Sequence, residues 1–369
     1  MTQRLSRRRA GTLLWAVLAL VVIMSVDALG SNPVGVAESA YELRMNGKLD
    51  EAKKILDDAV AANPGYAAGH FELARVKLHM ALGNPREIAA LLAEAQQSID
   101  RAIEIDPDNV IYSYFAGKVA FARAYMAMAM EEPDAKIKAA RCCEAFETAV
   151  RLKPDYYEAM LHLVELYGDP PEGFGGDRSK AEAYQSKLAK KDEIFGVKAR
   201  SVLENVSVAD WTSLRDKYPG NTDIIEELGK AYLRENNLVE AGKCFEEAVK
   251  IDPREAILFM DLGRYHIFNV IQAMESEDKK SVETDLAAAE KAIQRYLEFE
   301  HPAPIRAYAL EMLAKVKRGR GEQDKVDKLR KEAQALDPYY SKATGCPPLA
   351  LFTPPETIFQ DHRYLARPF

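Results

Sequence analysis

The sequence predicts an all-α chain of six or seven tandem helical hairpins stacked as a solenoid, and three observations carry that prediction. A small residue, a large apolar residue four positions on, a second small residue three further, and a proline five beyond that recur as a set: Ala52, Leu56, Ala59 and Pro64; Ala95, Ile99, Ala102 and Pro107; Cys142, Phe146, Ala149 and Pro154. The phrases AANPGYA, EIDPDNV, RLKPDYY, KIDPREA and ALDPYYS all carry the same terminator where a second helix hands over to the next unit. With 48% hydrophobic and 29% charged residues over 369 positions, the chain has enough apolar surface for a large core and is no disordered polymer.

The N-terminus comes first. Residues 1–10, MTQRLSRRRA, are basic, and residues 12–24, TLLWAVLALVVIM, carry no charge. That order is a signal peptide or a single membrane anchor over residues 1–30, with small residues at Ser25, Ala28, Gly30 and Ser31 for cleavage. Gly11 to Val26 is 16 residues, short of the roughly 20 that span a bilayer, so cleavage and attachment through residues 11–29 both stand as readings. Either one carries the body across the cytoplasmic membrane, because Arg4 to Arg9 hold the N-terminus inside. The body is then periplasmic or secreted, or anchored outside the cytoplasm.

The hairpins begin at about residue 33. First-helix marks are Leu73 with Ala74, Ala116 with Gly117, Leu163 with Tyr167, and Leu262 with Gly263. The clearest unit runs from Thr222 to Glu255: Ile225, Leu228, Gly229 and Tyr232 on a first helix, then Ala241, Phe245 and Ala248 on a second that stops before Pro253. Gly229 and Ala241 are small where two helices cross closely, Tyr232 and Phe245 fill the wider gaps, and proline ends the second helix. This unit resembles the tetratricopeptide repeat, whose pattern is W-x2-L-G-x2-Y followed by A-x3-F-x2-A-x4-P. The structural marks of the resemblance are Ala52, Pro64, Ala74, Ala102, Pro107, Gly117, Phe146, Pro154, Gly229, Tyr232, Ala241, Phe245, Ala248, Pro253, Gly263 and Pro338.

Spacing then divides the chain. Pro64 to Pro107 is 43 residues and Pro107 to Pro154 is 47, above the ideal of about 34, so these units hold insertions or longer helices. Gly83-Asn84-Pro85 and Glu132-Pro133-Asp134 supply the breaks, with Pro133 suited to the first turn of a helix. Residues 33–192 form an N-terminal array, 193–221 an irregular helical joint and 222–340 a C-terminal array. Residues 341–369, with prolines at 347, 348, 354 and 355, form an extended tail expected to lie along the last repeats or in the concave groove.

Tests for chemistry return little. The six histidines make no HExxH pair, the four cysteines fit neither a zinc site nor a disulfide framework, and no phosphate loop or nucleophile elbow is present. Gly173-Phe174-Gly175-Gly176 reads as a turn, with Asp177 capping the helix behind it. The expectation is therefore a non-catalytic chain without metal or cofactor. Beyond residue 30 there remain 46 basic against 56 acidic residues, and that acidic balance argues against nucleic acid.

The resemblance implies protein binding by a scaffold, with a protein or peptide partner in the cell envelope or secretory compartment. Tyr114, Tyr156, Tyr157, Tyr167 and Tyr265 lie near first helices, whose side chains line the concave face in this family, and form a candidate contact surface. Packing between repeats is the competing role for each. A second functional reading is a transport-associated solenoid closed around a small apolar ligand.

Overall fold

The structure, a computed structural model, describes residues 33–170, 175–204 and 206–342. The signal or anchor at 1–30 and most of the tail at 341–369 lie outside the described residues. Among those described there are sixteen α-helices, two short 3-10 helices and no strand. Seven hairpins pair α1 (Pro33–Met45) with α2 (Leu49–Ala62), α3 (Ala67–Leu82) with α4 (Ile88–Ile105), α5 (Val110–Ala129) with α6 (Ala135–Leu152), α7 (Tyr157–Gly168) with α8 (Arg178–Lys191), α11 (Thr222–Arg234) with α12 (Leu238–Ile251), α13 (Leu258–Glu275) with α14 (Lys279–Leu297), and α15 (Ala303–Gly319) with α16 (Gln323–Leu336). Between the fourth and fifth of these, α9 (Glu193–Leu203) packs on α7 and α8, whereas α10 (Val208–Lys217) packs on α11.

Two backbone devices repeat. The residue before each terminator proline ends a second helix in a non-helical conformation: Asn63 (φ −135°), Asp106 (φ −133°), Lys153 (φ −131°), Asp252 (φ −135°) and Asp337 (φ −153°). Steric pressure from the proline ring explains it, because that ring excludes the helical conformation from the residue ahead. Five of the seven first helices end differently. Gly47, Glu131, Asn236, Glu277 and Gly321 all take positive φ. In each case the next N–H reaches back five residues to a carbonyl, as Lys48 to Leu43 (2.8 Å), Glu132 to Ala127 (2.8 Å), Asn237 to Tyr232 (2.8 Å), Asp278 to Ala273 (2.9 Å) and Glu322 to Lys317 (3.0 Å). This is the left-handed helix stop that satisfies otherwise orphaned carbonyls.

The long spacings are long helices. α3 and α4 have 16 and 18 residues and α5 and α6 have 20 and 18, against 13 and 14 in α11 and α12. Pro133 is not in the first turn of a helix: it stands one residue ahead of Asp134, the residue that precedes α6. The stop at Glu131 occupies the residues that an earlier helix start would need.

Packing follows the marks. Ala52, Ala74, Ala102, Ala241, Phe245 and Ala248 are fully buried, Phe146 is buried and Tyr232 half-buried. A Cβ on Gly229 would meet the Phe245 ring at 2.2 Å, and one on Gly117 would meet the Phe146 ring at 2.7 Å, so both first helices cross their partners at van der Waals contact. Gly263 faces Ile293 in the same way. Cys142, in the small-residue position of the third hairpin, is fully buried and its thiol donates to the Gly117 carbonyl at 3.3 Å.

The array also returns to its start. The segment after α16 reaches the first two hairpins: a Cβ on Gly47 would lie 1.9 Å from the Leu336 carbonyl oxygen, and one on Gly83 would lie 2.2 Å from that of Tyr339. The Tyr339 hydroxyl donates to Asp50 at 2.7 Å, and Met45 packs against the core of the C-terminal hairpins. The solenoid thus makes a full turn, and its end rests on its beginning.

Candidate docking face and closing seam

Burial divides the five tyrosines. Tyr114 and Tyr156 are buried with ring centroids 4.8 Å apart, and Phe146 and His162 complete a cluster between the third and fourth hairpins. The Tyr114 hydroxyl shares a 3.1 Å hydrogen bond with His162 Nε2, while His162 Nδ1 lies 3.0 Å from Glu165. Tyr167 is buried, stacks on Tyr184 and donates to Glu147 at 2.8 Å; burial and the Glu147 carboxylate push its phenol far above the usual tyrosine range. Tyr157 sits against Phe195 and Tyr265 lies on α13, both half-buried. The structure therefore joins Tyr114 and Tyr156 and leaves the other three apart. Packing between hairpins uses most of the buried three.

A charged face stands on α11. Asp223, Glu226, Glu227 and Lys230 recur at helical spacing opposite the buried Ile224, Ile225 and Leu228. Lys230 is 2.6 Å from Glu226 and 3.4 Å from Glu227, and Lys198 of α9 lies 3.1 Å from Asp223. Burial works against charge on both lysines, yet the carboxylates prevail: Glu226 and Glu227 raise Lys230 well above the ordinary lysine value, and Asp223 leads the same effect on Lys198. Both stay charged. Three carboxylates on one helix face thus hold two lysines.

The seam carries the deepest polar groups. Within the first two hairpins, Glu72 binds Arg44 at 2.8 Å and Arg75 at 3.2 Å, all three being buried. One turn on, His79 Nε2 lies 2.9 Å from Asp337 Oδ2, both side chains fully buried and 258 positions apart in the chain. Asp337 Oδ1 accepts the N–H groups of Tyr339 and Tyr340 at 2.8 and 3.0 Å, and the Tyr340 ring meets the His79 ring edge-on at 4.4 Å. Burial pushes the His79 imidazole below its ordinary range, although Asp337 pulls the other way. Sequence reading missed this site. Its one visible signal is the stripe Glu72, Arg75 and His79 on a helix whose remaining residues are mostly apolar.

A cavity of about 630 Å³ lies among the first three hairpins, lined by His70, Lys77, Gln96, Asp100, Arg101 and Arg141 among others. Polar and charged side chains line it together with Val60, Leu73 and Ala93. Among the described residues no group of three or more His, Cys, Asp or Glu side chains is placed to hold a metal, and no helix is long and apolar enough to cross a membrane.

The sequence profile of the tetratricopeptide repeat matches residues 223–255. Tetratricopeptide repeat protein 37 of Xenopus laevis is 23% identical over 259 residues, 68% of this chain. The chain spans only 15% of that relative's length. Among solved structures, TTC0263, a thermophilic tetratricopeptide protein of Thermus thermophilus, is 18% identical with a TM-score of 0.41, covering 64% of this chain and 100% of that one. Yeast Tom70 is 13% identical with a TM-score of 0.32, over 92% of this chain and 79% of its own. Residues 223–255 thus match a tetratricopeptide repeat, and the described residues form an all-helical solenoid of hairpins.

Proposed function

We propose that the protein is a docking scaffold of the cell envelope or secretory compartment, delivered by residues 1–30, whose inner face holds a peptide or helix of a protein partner. Tetratricopeptide arrays serve as protein-interaction scaffolds, and the observation that carries the reading to this chain is the charged face of α11 within a continuous array of hairpins. Asp223, Glu226 and Glu227 lie on the first helix of the best-matched repeat, where a basic peptide would exchange with Lys198 and Lys230 for the same carboxylates.

Affinity capture of the full chain under membrane-preserving conditions tests it. A specific protein should be recovered, and Glu227→Lys should release it while helical content stays unchanged. Recovery of a bound small molecule and no protein would overturn the scaffold in favour of ligand carriage. Protease accessibility of residues 33–342 in intact cells tests the location: protection that persists after the outer barrier is opened would place the body inside and sink that part.

A further inference from the structure

Two residues with unpartnered buried polar atoms line one small cavity. It holds about 210 Å³ and lies where α4 meets the third hairpin, between Gln96 and Asp100 of α4, Ser113 of α5, and Arg141 and Glu144 of α6. Gln96 is 3% exposed and Ser113 1%. The Gln96 amide nitrogen donates to Asp100 Oδ1 at 2.9 Å, which fixes the amide orientation, because the reverse would set its carbonyl against the carboxylate. Gln96 Oε1 then has no hydrogen-bond partner among the described residues, and neither has Ser113 Oγ. Polar atoms this deep are ordinarily paired, and leaving them unpaired costs stability. The volume is far above the ~10–15 Å³ that admits one water and below the ~300 Å³ at which pockets for whole ligands begin, so the space suits one short chain.

The charged groups on its wall are Asp100, Arg141 and Glu144. Arg141 Nη2 lies 2.5 Å from Asp100 Oδ2, whereas the exposed Glu144 has no ion pair or hydrogen bond among the described residues. Two carboxylates against one guanidinium leave one negative charge. The unfilled positions are therefore mostly acceptors, with Ile103, Ala116 and Ala145 as an apolar wall beside them. The neighbouring 630 Å³ cavity shares Gln96, Asp100 and Arg141 but adds Lys77, Arg101 and Arg123 against Asp57 and Glu104, so its balance runs the other way.

We infer that the smaller cavity receives an alkylammonium group, the end of a small diamine or of a lysine side chain. Its three N–H donors match Gln96 Oε1, Ser113 Oγ and the Glu144 carboxylate, and its methylenes match the apolar wall. An anion would meet Glu144 as a like charge, and a neutral alcohol would leave that charge unanswered. The site is separate from the face of α11 and does not depend on the scaffold reading.

The test titrates cadaverine and an Nα-acetyl-lysine amide into the full chain at about neutral pH and constant ionic strength, followed by ligand-observed nuclear magnetic resonance. Pentanediol and the side-chain-acetylated lysine amide are the neutral controls. An ammonium probe should bind saturably and the controls should not. Binding of cadaverine alone assigns the site to free amines, and binding of the lysine amide alone assigns it to a lysine of a partner; either supports the inference. Glu144→Gln, at an exposed position, should weaken binding at least ~10-fold with unchanged circular dichroism. Ser113→Ala separates binding from packing: removal of an unpaired hydroxyl should leave the melting temperature unchanged or raised, while ammonium affinity falls. Absence of saturable ammonium binding, equal binding of the neutral controls, or parent affinity in both variants overturns the inference.

Discussion

At Gly229 two opposing effects have comparable size, and geometry decides between them. Alanine would favour the helix by roughly 0.5–1 kcal/mol, but its Cβ would fall 2.2 Å from the Phe245 ring, and overpacking of that kind costs about 1–3 kcal/mol. Gly229→Ala should therefore lower stability by ~1–2 kcal/mol in a urea titration, and a variant as stable as the parent would mean that the ring moves freely. His79 gives a second prediction of known sign. Its folded-state value is lowered by burial, with Asp337, Arg44 and Glu72 acting on the same ring, so the folded chain binds fewer protons there than the unfolded chain. Stability contributed by neutral His79 is present above the unfolded value of about 6.5 and is lost as pH falls below it toward the lowered folded value. Melting followed from pH 7.5 down to about pH 5 should show the loss, and His79→Gln, which cannot charge, should flatten that slope while lowering stability throughout.

The elements were legible to different degrees, and the turn residues show why. Second-helix ends were readable because proline acts on its own neighbour, so Pro64, Pro107, Pro154, Pro253 and Pro338 mark Asn63, Asp106, Lys153, Asp252 and Asp337 without help from the rest of the molecule. Glycine marks the first-helix ends at Gly47 and Gly321, whereas those at Glu131 and Glu277 are hidden, because glutamate there takes a conformation that no propensity would assign to it. That mismatch predicts a gain. Glu277→Gly should raise stability by about 0.5–1 kcal/mol, because glycine adopts positive φ without the Cβ penalty, while the Asp278 N–H to Ala273 bond is kept. Calorimetry of the single variant checks it; an unchanged or lower midpoint would show that the Glu277 side chain contributes more than its backbone strain removes. The tyrosines mark the limit of local reading. Tyr114 and Tyr167 stand near first helices as expected, yet burial against Tyr156 and Tyr184 depends on neighbouring hairpins that one repeat's sequence does not describe.

At the scale of the whole molecule, stacking was predictable and closure was not. Each hairpin's apolar face dictates a neighbour, but nothing local to Gly83 announces that Tyr339 will lie against it, 256 positions later. Closure changes the mechanics of a solenoid, since an open array flexes along its length whereas one whose end rests on its start must break the His79–Asp337 contact to widen. Gly83 is the place to test this. A side chain there would meet backbone, the Tyr339 carbonyl oxygen at 2.2 Å and its carbon at 2.3 Å, so no rotamer change relieves the clash. Gly65, whose nearest contact is the Asn63 side chain at 3.5 Å, supplies the control. Gly83→Val should keep its circular dichroism yet increase the radius of gyration in small-angle scattering and speed amide exchange at 336–342, with Gly65→Val changing neither quantity. Parent-like scattering and exchange in Gly83→Val would show that the two ends pass each other without bearing load. If the seam does bear load, a partner entering along the inner face must either fit the closed turn or supply the free energy that parts it, and affinity for that partner should then rise in Gly83→Val.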